Sequence, residues 1–178
     1  HLEALEDGVR TLDEPTLAAL HGGTQRLHRL AQDISAVSRA EEGQLDSRPV
    51  LTHPRVLLES AATAAQDAFD AAQVRLTVDA AGPLPDVHVD PERMGQVLAN
   101  LLENALRHTP TGGAVRLTAT RPDNHWVELD VTDTGEGIAP EHLPHVFERF
   151  YQADPARRRR PDSSGSGIGL TISRALVE

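Results

Sequence analysis

After residue 46, apolar residues recur every three to four positions in some stretches and every two positions in others. The first spacing predicts helices and the second predicts short strands. Two helical stretches begin at a proline that follows a polar residue, at Pro54 and at Pro91. Between and after them, apolar and polar residues alternate, as expected of strands with one buried face. The predicted strands cover residues 74–78, 87–89, 115–119 and 127–131, and further helices cover 140–146 and 170–177. The pattern therefore predicts a domain that contains both helices and strands.

The first 45 residues carry a different helical pattern. Within residues 15–40, apolar residues recur every seven positions beside a second row of mostly small residues. The rows are Leu20, Leu27 and Ile34, and Leu17, Thr24, Ala31 and Ser38. Such seams are typical of coiled coils, and a helical hairpin buries them by pairing with a second hairpin in a four-helix bundle. An amphipathic helix packed on its own domain is the alternative.

Composition narrows the possible functions. The net charge of -10 argues against nucleic acid as a partner. Cysteine is absent, which excludes thiolate catalysis and cysteine-based metal sites. All 17 basic residues are arginine, so neither a Walker A loop nor the strand lysine of Ser/Thr/Tyr protein kinases is possible. No apolar run is long enough to cross a bilayer. Any ATP site must therefore use another architecture.

The helix that begins at Pro91 carries a polar strip beside its apolar arc. Asn100, Asn104 and His108 are four residues apart and therefore stack on one helix face. Amide oxygens are hard ligands that suit a magnesium ion carrying phosphates. Asparagine on a helix is more often merely solvated, so the strip alone does not define a site.

A glycine-rich turn follows the last predicted strand. Asp133 lies on the same strand face as the buried valines and leucine, and Gly135 and Gly137 follow it. A carboxylate at the end of a buried face needs a hydrogen-bond donor, and the glycines let a flat ligand approach the backbone. An adenine amino group satisfies both conditions. A protein donor is the alternative, and it would make Asp133 a structural residue only.

A second glycine turn, residues 165–169, leads into the last predicted helix. This arrangement points backbone donors at an anion. Dinucleotide-binding folds use the same device after a strand, whereas here the glycines follow a polar loop at 151–166. Four arginines at 157–160 are interpreted as a solvated run, and the alternative is that one of them contacts a triphosphate. Arg149, between Phe147 and Phe150, is the better phosphate candidate.

Four segments resemble, in the same order, the four boxes of the sensor histidine kinases. Asn100 and Asn104 resemble the N box, Asp133 to Gly137 the first glycine box, Phe147 to Phe150 the F box, and 165–170 the second glycine box. The resemblance covers nearly the whole chain. It implies an α+β protein with a helical hairpin in residues 1–45, half of a four-helix bundle dimer. Residues 46–178 would form an α/β sandwich with a mixed sheet and helices on one face, the Bergerat or GHKL fold.

The resemblance also implies an activity. A protein-histidine kinase of a two-component system binds Mg-ATP and transfers the γ-phosphoryl group to a histidine on the dimerisation helix, then to a response-regulator aspartate. Asn104 would contact the metal, Asn100 and His108 the metal or the phosphates, and Asp133 the adenine amine. The expected ATP-binding residues are Asn100, Asn104, Arg107, His108, Asp133, Gly135, Gly137, Ile138, Phe147, Arg149, Phe150, Gly165, Ser166, Gly167, Ile168, Gly169 and Leu170. The expected partners are a second copy, bound through the hairpin, and the receiver domain of a response regulator. The chain would be the cytoplasmic portion of a membrane-anchored sensor.

Two features of the family are missing from the sequence. None of the nine histidines is followed by an acidic residue, so the phosphoacceptor box is absent and is expected to precede His1. The family also continues with further strands after the position of Glu178. The chain alone is therefore expected not to phosphorylate itself.

Two other functions remain open. Gyrase-type and chaperone-type ATPases of the same superfamily carry a glutamate at the position of Asn100, which activates water. An amide cannot accept that proton, and Glu103 points about a quarter-turn away from the strip. A non-enzymatic dimerisation module that binds nucleotide only for structure is the second possibility, and the intact set of four boxes argues against it.

Overall fold

The computed structural model describes residue 24, residues 47–152 and residues 167–177. Of the predicted helical hairpin in residues 1–45, only Thr24 is described, and it is helical. The rest of the hairpin and the arginine run at 157–160 lie outside the described residues. Within the described part, no helix is long and apolar enough to cross a membrane.

The described part of the chain contains both helices and strands, as the sequence pattern predicts. In chain order they are β1 (Val50–Thr52), α1 (Pro54–Ala71), β2 (Arg75–Asp79), β3 (Val87–Val89), α2 (Pro91–His108), β4 (Ala114–Thr120), β5 (Glu128–Asp133) and α3 (Gly169–Val177). The short helix predicted at 140–146 is confirmed only in part, because the helical segment there is the three-residue 3-10 helix Leu143–His145. Pro144 lacks the N–H group that an α-helical bond to Pro140 would need.

The strands form two sheets. β2, β4 and β5 make a mixed sheet in the order β2-β4-β5, with β2 parallel and β5 antiparallel to β4. The parallel pair is possible because the connection between β2 and β4 contains α2. β1 pairs with β3 in a separate two-stranded antiparallel sheet. In the main sheet, Val115 of β4 lies opposite Asp133, the last residue of β5.

The core lies between the mixed sheet and the helices α1 and α2, which cover one of its faces. Alternation along β4 sends Val115, Leu117 and Ala119 into this core. The largest side chains that meet them from the helices are Leu58, Phe69, Leu98 and Leu102. α3 packs against α2 through its own buried residue Ile172. The prediction of a mixed sheet with helices on one face is confirmed.

The start of α2 is fixed by Asp90, the predicted capping residue. Its carboxylate accepts hydrogen bonds from the backbone N–H groups of Glu92, Arg93 and Arg48, at 3.0, 3.2 and 2.9 Å. The bond from Arg48, together with that from Arg93, holds the pKa of Asp90 below its usual value. Pro91 is the first helical residue, where its missing N–H costs nothing. This cap and the proline fix the residue at which α2 begins.

Replacing Gly95 with alanine should stabilise α2. Gly95 lies inside the helix, and no atom lies within 4 Å of where a Cβ would stand. Glycine in a helix costs roughly 0.5–1 kcal/mol relative to alanine, so Gly95→Ala should raise the free energy of unfolding by about that amount. Urea unfolding measures the change. Gly82→Ala is the matched control, because its site is equally open but has a φ of +102° and should show no gain. A Gly95→Ala protein no more stable than wild type would contradict the prediction.

Candidate functional site

The polar strip of α2 lies against the start of α3. Asn100 is half-buried, and its Nδ2 donates hydrogen bonds to the carbonyl oxygen of Gly169 at 3.2 Å and to Ser173 Oγ at 3.3 Å. Asn104, one turn further along, is also half-buried, and its side chain makes no hydrogen bond to any residue that the structure describes. Asn104 therefore has its whole amide available to a ligand.

The amide oxygens of Asn100 and Asn104 fit a magnesium ion. The bonds to Gly169 and Ser173 occupy the nitrogen of Asn100 and leave its oxygen available. Mg²⁺ commonly takes one or two hard oxygen ligands from a protein and completes its coordination with substrate phosphates and water. No cluster of three or more histidine or acidic side chains that could hold a metal occurs in the described ranges. Two amide oxygens would leave most of the coordination of such an ion to phosphates and water.

The far end of the strip faces the first glycine turn. His108 Nδ1 lies 3.1 Å from Glu136 Oε1, and the two side chains are about one-third and one-half exposed. Asn100 and His108 are eight residues apart, which corresponds to about 12 Å along the helix. The sequence suggested that His108 acts near the metal or phosphates beside Asn100. The structure instead brings His108 to the turn that begins at Asp133.

Arg107 and Glu103 form an ion pair on α2, with 3.0 Å between guanidinium nitrogen and carboxylate oxygen. They are separated by one turn, and both side chains are partly exposed. The carboxylate of Glu103 is therefore engaged with a cation, in agreement with the expectation that it points away from the Asn100–Asn104 strip.

Asp133 is exposed, which corrects the expectation that it ends a buried face. It is the last residue of β5. Val131, two residues earlier on the same face of the strand, is half-buried, but this burial does not extend to Asp133. Its Oδ1 accepts a hydrogen bond from the backbone N–H of Gly135 at 2.7 Å. Its Oδ2 has no hydrogen-bond partner among the described residues. The turn thus holds one carboxylate oxygen and presents the other.

The two glycines of this turn are needed for different reasons. A Cβ on Gly135 would overlap the carbonyl oxygen of His108 and would lie 2.7 Å from Asp133 Oδ1. Gly137 has open space around it but adopts a φ of +72°, which L-residues rarely adopt. The sequence predicted that the glycines admit a ligand. In the structure, the missing side chain of Gly135 makes room for the backbone carbonyl of His108 at the end of α2.

The F box is tied to the start of α3. Phe150 has a left-handed backbone, with a φ of 62°, and its N–H donates to the carbonyl oxygen of Gly167 at 2.9 Å. Gly167 also has a positive φ, and a Cβ there would lie 2.9 Å from the backbone of Phe150. Thr171 Oγ1 donates to the carbonyl oxygen of Phe147 at 2.8 Å, and the Arg174 guanidinium lies 5.9 Å from the Phe147 ring centre. The F box therefore has a fixed position beside the helix that contacts Asn100.

Phe147 and Phe150 do not enclose Arg149 as the sequence suggested. Their side chains are 46% and 55% exposed, and Arg149 is itself exposed. Among the other predicted residues, Ile138 is exposed, Leu170 is half-buried and Ile168 is fully buried. Gly165 and Ser166 lie outside the described residues, so their predicted contacts remain predictions.

Two residues with contacts in the site, Ser173 and Glu136, were not among those predicted from the sequence. Ser173 is buried and contacts Asn100. Its position one helical turn after Gly169 is visible in the sequence, but its contact with Asn100 is not. Glu136 lies between the two glycines of the first turn, and nothing in the sequence indicated that it contacts His108. Both contacts join residues that are distant along the chain.

The site therefore has two ends. One end contains the carboxylate of Asp133 with His108 and Glu136, and the other contains the amides of Asn100 and Asn104 with the start of α3. A helix N-terminus attracts anions, whereas a carboxylate attracts a donor such as an amino group. This polarity suits an elongated ligand with an amino-bearing group at one end and phosphates at the other.

The part of the chain that contains the site matches a known protein family. The family described as "Histidine kinase-, DNA gyrase B-, and HSP90-like ATPase" matches residues 89–178. These residues contain α2, the mixed-sheet strands β4 and β5, both glycine turns and α3. The chain belongs to this family of ATPases.

Curated relatives resemble the chain over almost its whole length. It is 36% identical to the signal transduction histidine-protein kinase BaeS of Escherichia coli over 99% of the chain. It is 37% identical to the sensor protein SphS of Synechococcus elongatus, also over 99% of the chain. The chain spans only 37% and 43% of the length of these two relatives.

Solved structures of histidine kinases share the fold. The Acinetobacter baumannii histidine kinase AdeS superposes with a TM-score of 0.79 at 26% identity, over 99% of this chain and 79% of that one. Full-length ShkA in complex with AMPPNP superposes with a TM-score of 0.78 at 26% identity, over 94% of this chain and 34% of that one. The predicted GHKL fold is confirmed.

Proposed function

We propose that the chain is the transmitter part of a two-component sensor histidine kinase. It would bind Mg-ATP and direct the γ-phosphoryl group to a histidine of the dimerisation helix, from which the group passes to a response-regulator aspartate. The observation that carries this proposal is the paired amides of Asn100 and Asn104 beside the start of α3, with Asp133 at the opposite end of the site. The names of BaeS and AdeS, both histidine kinases, support it.

Adenine would bind at the Asp133 end. The free Oδ2 of Asp133 would accept a hydrogen bond from the adenine amino group, and Gly137 and the exposed Ile138 would border the base. His108, held by Glu136, would lie on this side of the nucleotide, not beside the phosphates. The nucleotide analogue in the ShkA structure supports adenine nucleotide as the ligand.

The phosphates and the metal would bind at the other end. Asn100 and Asn104 would hold Mg²⁺ through their amide oxygens, and the backbone N–H groups at the start of α3 would face the phosphates. When bound, Mg²⁺ supplies charge neutralisation for phosphoryl transfer. This transfer depends mainly on positioning and on charge, so the absence of a general base at Asn100 is compatible with kinase activity.

Hydrolysis of ATP is the second candidate function, and the contacts of Asn100 argue against it. The amide nitrogen of Asn100 faces Gly169 and Ser173, and an amide cannot deprotonate water. The carboxylate nearest in sequence, Glu103, is paired with Arg107. This arrangement favours transfer of the phosphoryl group over hydrolysis.

The domain division and the partners follow from the same proposal. Residues 1–45 would form the dimerisation hairpin and residues 46–178 the catalytic domain. The homodimer would form through that hairpin, a receiver domain would bind as partner, and the full-length protein would be anchored in the plasma membrane. The described part of the chain contains no membrane-spanning helix.

Incubation with γ-labelled ATP and Mg²⁺ tests the kinase proposal. The 178-residue chain should remain unlabelled on all nine histidines, because none is followed by the acidic residue of a phosphoacceptor box. A longer form that includes the residues before His1 should acquire acid-labile, alkali-stable phosphate on that added segment. Mass mapping locates the label. Stable phosphohistidine within residues 1–178 would show that the acceptor has been misplaced, and a longer form that only hydrolyses ATP would favour the second candidate.

A further inference from the structure

We propose that Ser173 is a positioning residue that fixes the orientation of the Asn100 carboxamide. Through this contact, Ser173 would direct Asn100 Oδ1 towards the metal of Mg-ATP. The inference rests on the proposed function, because it assumes that Asn100 contacts Mg²⁺ through that oxygen.

The hydroxyl group of Ser173 connects the first turn of α3 to α2. Ser173 is 5% exposed, and its Oγ donates a hydrogen bond to the carbonyl oxygen of Gly169 at 3.0 Å. A serine hydroxyl has one hydrogen, so its lone pairs are what it offers to Asn100. Asn100 Nδ2 lies 3.3 Å from this oxygen and 3.2 Å from the Gly169 carbonyl oxygen. The three residues therefore form a closed set of hydrogen bonds.

These bonds determine which way the amide of Asn100 points. The carbonyl oxygen of Gly169 can only accept, and Ser173 has already used its proton on the same carbonyl. Both groups therefore require the amide nitrogen, and a flipped amide would place Oδ1 against two acceptors. The nitrogen of Asn100 has two hydrogens and has two acceptors here, so Oδ1 is left on the opposite side of the amide.

Burial makes the hydroxyl difficult to replace. Because Ser173 is 5% exposed, a water molecule would not readily take over its role as acceptor if the hydroxyl were removed. The start of α3 also packs closely against Asn100, since a Cβ built on Gly169 would stand 3.8 Å from Asn100 Cγ. Ser173 thus couples the metal ligand to the helix that follows the second glycine turn.

The Ser173→Ala substitution should weaken the metal-dependent part of ATP binding. Without the hydroxyl, Asn100 Nδ2 keeps only the Gly169 carbonyl oxygen as acceptor, so one hydrogen bond instead of two holds the carboxamide in its orientation. One neutral hydrogen bond is worth roughly 0.5–1.5 kcal/mol, so the affinity for ATP with Mg²⁺ should fall by about 2- to 12-fold. The affinity for ATP in EDTA should stay within about twofold, since no metal is then present to use Oδ1. Calorimetric titration under both conditions measures the two values.

Two further variants separate the hydrogen bond from simple packing. Ser173→Cys keeps the shape of the side chain, but sulfur is a weak acceptor, so its loss should match that of Ser173→Ala. Thr109→Val removes the other buried hydroxyl of the described residues, which also donates to a carbonyl oxygen four residues earlier and does not contact Asn100. Thr109→Val should keep the wild-type response to Mg²⁺. A wild-type response in Ser173→Cys would assign the alanine effect to a cavity and overturn the inference.

A measurement without nucleotide tests the orientation directly. In ¹⁵N-labelled protein, both side-chain NH₂ protons of Asn100 should exchange slowly with solvent, and Ser173→Ala should accelerate the exchange of one of them. If wild-type ATP affinity depends on Mg²⁺ and Ser173→Ala behaves like wild type in both assays, the inference is wrong and the proposed function stands. If wild-type affinity does not depend on Mg²⁺, the metal assignment of Asn100 fails, and this inference fails with it.

Discussion

The Gly135→Ala protein is expected to lose most of its affinity for ATP. The added Cβ would overlap the carbonyl oxygen of His108, and it would stand 2.7 Å from Asp133 Oδ1 and 2.9 Å from the carbonyl carbon of His108. The crowded atoms belong to backbone and to the adenine-binding carboxylate itself, so relief requires the whole turn to move. Overpacking of this kind costs about 1–3 kcal/mol. If the displaced Asp133 loses that much of its interaction with the nucleotide, ATP binding should weaken by roughly 5- to 150-fold.

Two alanine substitutions at other glycines serve as controls for this prediction. Gly137→Ala meets no neighbouring protein atom and leaves Asp133 in place. It adds a left-handed backbone cost of about 1–2 kcal/mol and a methyl group beside the proposed base, so it should weaken ATP binding less than Gly135→Ala does. Gly95→Ala lies outside the site and should bind ATP as wild type does. Calorimetry gives the affinities and thermal unfolding the stabilities. A Gly135→Ala protein with wild-type affinity and stability would mean that the turn does not pack against α2 as described.

Asp133→Asn should also weaken ATP binding strongly. Oδ1 of Asp133 accepts from the N–H of Gly135, so an asparagine in the same place must keep its oxygen there. Its NH₂ group would then face the adenine amino group, donor against donor. A hydrogen bond to a charged group is worth about 1.5–3 kcal/mol, which predicts a loss of at least about 10- to 100-fold. Titration of the variant with Mg-ATP measures it.

Asp130→Asn is the matched control on the same strand. Asp130 accepts a hydrogen bond from Thr118 Oγ1 at 3.2 Å, between neighbouring strands and away from the turn. Its replacement should leave the affinity for ATP unchanged. Equal affinities for Asp133→Asn and wild type would make Asp133 a structural residue, which is the alternative that the sequence left open.

Local rules explain what the sequence predicted well. The start of α2 depends on Asp90 and Pro91, which are adjacent, and a capping side chain acts on backbone groups two and three residues away. The strand β4 alternates because successive side chains point to opposite faces. The Asn100–Asn104 strip likewise follows from helix geometry alone. These features need no knowledge of distant parts of the chain.

Contacts between distant residues explain what the sequence could not predict. His108 and Glu136 are 28 residues apart, and Asn100 and Ser173 are 73 residues apart. Neither pairing leaves a periodic signal, so His108 was expected near the phosphates and Ser173 was not considered. The exposure of Asp133 depends on how far along β5 the helices pack against the sheet. The alternation of residues in the strand does not specify that distance. The reduced length of the helix predicted at 140–146 is different, because it follows from Pro144, which is visible in the sequence.

The most direct test of the adenine site is to titrate the wild-type protein with Mg-ATP and with Mg-inosine triphosphate. Inosine carries a carbonyl oxygen where adenine carries its amino group, and its ring nitrogen N1 carries a hydrogen, while the ribose and the triphosphate are unchanged. That oxygen would face the free Oδ2 of Asp133, acceptor against acceptor. The proposed site predicts micromolar-range binding of ATP and binding of inosine triphosphate that is at least about 10-fold weaker. Equal affinity for the two nucleotides would contradict the placement of adenine at Asp133.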